Sequence, residues 1–293
     1  MSGTSLAATE RRVSALLPGI TSALSFSAAD ILSKIVFNDG MDVLSFVSTR
    51  GAATALVFWL WLRHTPPARR HTRIERKVSI VVGLLFAANT LGLLLAIQLL
   101  PLSMAILTYF LYPLLTGLAG AVTGIDRVGW GGSVAALTAF AGLAMMLGAR
   151  LGDVALLGEL SAFAAAVVRV VSLLITRRYL RDTDSRLNTW YSLLPSAMVF
   201  VLASVTMQTW TPPQSTLGWT AFIGMSLTST VSLLTMFVSI ARIGPFRTAL
   251  IMNLEPLVST IGSTLLLDET LTPIQATGGA LMLLAVSAFQ LRR

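Results

Sequence analysis

The chain contains no cysteine, which excludes a disulfide framework, a thiol nucleophile and thiolate-ligated metal. It has only two histidines, His64 and His71, both in one basic stretch, so neither a buried histidine proton relay nor a histidine-rich metal cluster is available. There is no glycine-rich phosphate loop, which argues against nucleotide-driven work and against an ATP-dependent enzyme. Charge is scarce: 12% of residues are charged, where a soluble domain carries about 25%. With 55% hydrophobic residues and a mean hydropathy of +0.78, the composition is that of an all-α membrane protein with many spans.

Ten apolar runs are long enough to cross about 30 Å of hydrocarbon as helices. They cover residues 13–37, 41–62, 78–99, 102–122 and 129–148, then 154–176, 187–208, 217–240, 245–266 and 272–290. The first run exceeds a signal-peptide core of about 7 to 15 residues, so it is expected to be retained as a span. The net charge of +8 follows the runs. With the N-terminus in the cytoplasm, 17 of the 21 basic residues fall on cytoplasmic segments, the others being Lys34, Arg50, Arg150 and Arg169. The positive-inside rule therefore places both termini in the cytoplasm and makes the basic residues topological signals rather than a nucleic-acid surface.

The chain repeats itself. Tyr112 and Pro113 are followed after 13 positions from the proline by Asp126, and Glu255 and Pro256 are followed after 13 by Glu269. The common offset of 143 carries each of the first five runs close to one of the second five. Five is odd, so the second copy enters the membrane from the opposite face. That inverted repeat is the architecture of many secondary carriers, with the substrate site near the midplane between the halves. The expected organisation is one transporter domain over 1–293, made of five-helix repeats at 13–148 and 154–290 joined through Ala149–Asp153.

The motifs LYPL (Leu111–Leu114), LEPL (Leu254–Leu257) and LDE (Leu267–Glu269) in this framework resemble the drug/metabolite transporter superfamily in its EamA-type branch. Within it the chain is most similar to YddG-type exporters of aromatic and other amino acids. The first copy departs from the pattern, with Asp126 and Arg127 where the second has Asp268 and Glu269. The resemblance implies a central cavity lined mainly by spans 1, 3, 4, 6, 8 and 9.

Charges inside apolar runs are functional candidates by default. Asp30 and Arg50 lie at similar depths, roughly 10 to 14 Å below the outer surface at 1.5 Å per residue, and Arg169 and Glu255 also match in depth. One reading makes them structural ion pairs, or pairs Asp30 with Lys34 one turn on. The other makes them gates or ligands for the amino and carboxylate groups of a zwitterion. Further cavity candidates are Ser27 one turn before Asp30, Asn89 and Thr90 midway along span 3, Thr108 and Tyr112 four apart on span 4, Thr228 on span 8, and Asn253. For any one serine or threonine, helix packing competes with ligand binding. Pro113 and Pro256 occupy equivalent places in the two copies, where symmetric kinks would suit alternating access, and Arg50 joins them as a gating candidate.

The sequence thus predicts a carrier of the inner membrane that exports small, mainly neutral amino acids, needs no cofactor, and has membrane lipid and substrate as partners, with the oligomeric state left open and a monomer plausible. Export of nucleobase-like metabolites or cationic drugs is the alternative, and a membrane scaffold without flux is a third reading. A channel would need a continuous polar lining, which the dispersed charges do not supply.

Overall fold

The computed structural model describes residues 3–100, 102–126, 128–147, 156–266 and 272–291. Pro101, Arg127, Arg150, Asp153, Arg292, Arg293, the Ala149–Asp153 connection and the Leu267–Glu269 motif, with Asp268, lie outside the described residues. Among the described residues there are twelve helical segments and no strand. They are α1 (Gly3–Asn38), α2 (Val43–His64), α3 (Arg73–Leu99), α4 (Leu102–Tyr109), α5 (Tyr112–Thr123) and α6 (Trp130–Leu147). The remainder are α7 (Leu156–Leu180), α8 (Ser185–Met207), α9 (Thr216–Ile243), α10 (Pro245–Ile251), α11 (Leu254–Leu266) and α12 (Pro273–Leu291).

Seven stretches are long and apolar enough to cross a membrane, among them Met104–Thr123, which spans the α4–α5 break. Trp130–Met146 and Pro273–Phe289 are shorter apolar helices. The first helix begins at Gly3 rather than at the expected residue 13, because Ala7, Ala8, Glu10, Arg11 and Arg12 are good helix formers with no breaker between them.

The expected proline kinks are full breaks. α4 stops at Tyr109 and α5 starts at Tyr112; α10 stops at Ile251 and α11 starts at Leu254. Pro113 and Pro256 each lack the N–H that would continue the ladder four residues back. The chain closes each gap with shorter bonds, Leu111 N–H to the Thr108 carbonyl (3.2 Å) and Glu255 N–H to the Met252 carbonyl (3.0 Å). Pro18 and Pro195 sit inside unbroken helices.

The broadest packing joins α1 to α9, α3 to α7, α6 to α12 and α2 to α8. In lipid such contacts depend on close van der Waals fit and on small residues. Gly142 and Gly278 show why: a Cβ on Gly142 would lie 2.6 Å from the Gly278 carbonyl oxygen, so α6 and α12 meet backbone to backbone. The main core lies where α5, α7, α9 and α10 converge, around Phe237, Phe246, Leu250 and Ile251.

Capping carboxylates stitch the connections together. Asp42 accepts from the amides of Leu44 (2.8 Å) and Ser45 (3.0 Å) at the start of α2, and from the Thr211 hydroxyl (2.6 Å). Asp39 accepts from the amides of Gln214 (2.6 Å) and Ser215 (2.9 Å). The α1–α2 turn is thereby fastened to the α8–α9 connection on one face of the bundle. On another face Arg186, bound to Asp184, donates to the Thr65 carbonyl (3.1 Å), fastening α8 to the end of α2.

Candidate functional site

A cavity of about 300 Å³ lies inside the bundle, between the two broken helices and α1, α2, α3, α7, α8 and α9. Its lining includes Asp30, Arg50, Asn89, Thr90, Tyr112, Arg169 and Glu255, seven of the thirteen residues singled out in the sequence. Tyr112 and Glu255 open α5 and α11 beside the two breaks, and the others lie near the middle of their helices or toward the face that carries the α1–α2 turn; α3 contributes up to Ile97, two residues from its end there. The opposite side is sealed by packed Phe237, Phe246 and Leu250, by the Ser239–Thr248 hydroxyl pair (2.8 Å), and by Arg177 donating to the Ile240 carbonyl (3.0 Å).

The four charged groups face one space, yet no ion pair within 4 Å joins Asp30 to Arg50 or Glu255 to Arg169. The ion pairs that the described residues do form, such as Arg69–Glu75 and Arg186–Asp184, are peripheral. Asp30 is exposed to the cavity and accepts from the Ser259 hydroxyl (3.0 Å), an α1–α11 contact, in place of the Lys34 bond considered from sequence. Arg50 sits over the Phe46 ring at 5.5 Å. Glu255 is within electrostatic reach of both Asp30 and Arg169.

Arg169 is the least satisfied of them. Its guanidinium lies between two rings, 5.8 Å from the centroid of Phe86 and 5.8 Å from that of Tyr112. One terminal nitrogen reaches the Met236 thioether at 3.2 Å, a weak acceptor, and Nε is buried with no partner. Aromatic faces satisfy the charge of a guanidinium but not its in-plane N–H donors, which match a carboxylate in two parallel bonds.

The remaining candidates do other work. Ser27 is fully buried and donates to the Ala23 carbonyl (2.8 Å) and across to the Glu255 carbonyl (2.9 Å), so it braces the α11 break against α1. Asn253 is buried and donates to the Leu250 carbonyl (3.1 Å), closing the same break from inside. Thr228 bonds its own helix at Gly224 (3.1 Å). Thr108 and Tyr112 do not share one helical face, because the break at Phe110 and Leu111 separates them; only Tyr112 reaches the cavity. Pro113 and Pro256 stand beside the breaks rather than in the lining.

The structure adds an aromatic wall. Phe26, Phe86, Tyr109 and Phe110 join Tyr112 in the lining, and all five come from the first half of the chain. Tyr109, Phe110 and Tyr112 pack with centroids 5.5 to 5.6 Å apart. The stripe of Phe86, Thr90, Leu93 and Ile97 has helical spacing and marks the cavity face of α3. Tyr109 and Phe110 have no such mark, since they flank a break where helical spacing stops applying.

An all-helical protein with several apolar spans around a cavity that holds four charged groups is consistent with a membrane transporter. Residues 156–289, a little under half of the chain, match the EamA-like transporter family. That match, with the apolar helices, suggests a multi-pass membrane transporter of small molecules. No curated protein matches the chain. Among solved structures 29 chains match. One, titled only "Crystal structure of protein", is similar with a TM-score of 0.84 and 20% identity, over 96% of this chain and 99% of its own, which establishes a shared fold.

Proposed function

We propose that the protein is a secondary carrier that exports small amphipathic amino acids by alternating access, through ten spans arranged as two inverted five-helix repeats with both termini cytoplasmic. The observation that carries the amino-acid reading is Arg169, a guanidinium facing the cavity without a carboxylate, opposite Glu255 and Asp30. A zwitterion meets both needs: its carboxylate takes the free N–H donors and its ammonium sits toward the acids. The first-half aromatic wall then receives the side chain. A cationic drug would satisfy the acids but be repelled by Arg169, which makes that alternative the weaker one.

The repeat reading draws support from the two breaks, at 110–111 and 252–253, and from paired contacts. α1 packs on α9 as α7 packs on α3, an exchange that the 143-residue offset requires. The cavity lining extends toward the α1–α2 turn, the outer side under this topology, which suits a carrier that releases exported substrate there.

Proteoliposomes loaded with labelled phenylalanine or threonine test the proposal. Saturable efflux above empty vesicles, competed by other amino acids, is expected. Competition by nucleobases or cationic drugs alone would favour the rival substrate class, and no flux of any solute would sink the carrier reading.

A further inference from the structure

A second cavity of about 430 Å³ lies apart from the central one, in a trough between α6 and α12. Its sides include Val134, Thr138, Leu281 and Leu284, its floor is Phe246, and Arg247 stands at its mouth. Leu284 is 69% and Val134 43% exposed, so the trough opens toward the surroundings of the bundle, which in a membrane means lipid. From Leu281 to Phe289 is eight residues, about 12 Å along a helix, comparable to one leaflet's share of about 30 Å of hydrocarbon.

Two charged residues, Arg247 and Asp126, border the trough. Arg247 lies over the Phe289 ring at 5.6 Å, which holds the guanidinium at the edge of the trough. The Asp126 carboxylate accepts the Phe246 amide (3.1 Å) and caps α10. A void of this size opening onto acyl chains does not stay empty, and a guanidinium at headgroup level favours a negative phosphate.

We infer that this trough binds one anionic phospholipid, with its phosphate on Arg247 and an acyl chain along Leu281 and Leu284. Because Phe246 is the second residue of α10, a lipid seated there touches the half of the broken helix that leads to Asn253 and Glu255. The inference does not depend on which solute the carrier moves.

Full-length protein drawn from bilayers of equal phosphatidylglycerol and phosphatidylcholine, then weighed intact by native mass spectrometry, provides the test. One retained phosphatidylglycerol is expected, preferred over phosphatidylcholine by about fivefold, the worth of one arginine near an anionic surface. Arg247→Gln should abolish that preference. Leu284→Trp, at a lipid-facing position where the fold tolerates bulk, should expel lipid of either kind while helical circular dichroism stays unchanged. Equal retention of both lipids by the unaltered protein, or full retention in both variants, would overturn the assignment.

Discussion

Replacing Arg169 by methionine separates a ligand role from a structural one. If Arg169 were one half of a buried ion pair, truncation would strand a carboxylate and cost about 3 to 5 kcal/mol of stability. No carboxylate lies within 4 Å of it, so the balance differs. The variant loses two cation–π contacts, about 1 to 2 kcal/mol together, and removes an orphaned buried donor whose desolvation costs about 1 to 3 kcal/mol. These offset, and the melting temperature in detergent should move by less than about 4 °C. Transport should respond strongly, because charge-assisted bonds to the substrate carboxylate contribute about 1.5 to 3 kcal/mol, or roughly 10- to 150-fold in KM. The assay is counterflow of labelled phenylalanine in proteoliposomes beside thermal unfolding of the same preparation. A large fall in melting temperature with KM unchanged would refute the reasoning.

Glu255→Gln should abolish any dependence of export on a pH gradient while downhill exchange persists; an unchanged gradient response removes Glu255 from proton coupling. Gly142→Leu forces a side chain against the Gly278 carbonyl and should destabilise α6–α12 packing by about 1 to 3 kcal/mol, read as a lower melting temperature. Ser27→Ala removes the brace on the Glu255 carbonyl and should cost about 0.6 to 1 kcal/mol while loosening the break, seen as faster amide exchange at Leu254 and Glu255. The Ser215 hydroxyl and amide, with the Gln214 amide, hold the Asp39 carboxyl below its ordinary 3.8. Its folded value being depressed, the clasp is at full strength above pH 3.8 and is lost as pH falls through that lower value. Exchange protection of the Gln214 and Ser215 amides should therefore hold down to pH 3.8 and fall only below it, and Asp39→Asn should remove the pH dependence.

The sequence alone determined the class of protein, the positions of most spans, and where two of them fail. Those features follow from strictly local physics: hydrocarbon thickness fixes the length of an apolar run, and a proline cannot donate to the residue four before it, whatever surrounds it. Asp30, Arg50, Arg169 and Glu255 were visible for the same reason, since charge inside an apolar run stands out anywhere. Apart from the α3 stripe through Thr90, which helix faces look inward was not legible, because in lipid both the packed face and the outward face are apolar and periodicity loses most of its meaning. Only the tertiary structure decided that the four charges share one cavity without closing an ion pair. It also gathered Phe26, Phe86, Tyr109 and Phe110 from three helices and the α4–α5 break onto one wall, and it turned Ser27 and Asn253 from lining candidates into braces, because their hydrogen-bond partners lie at the break of a helix rather than in open space.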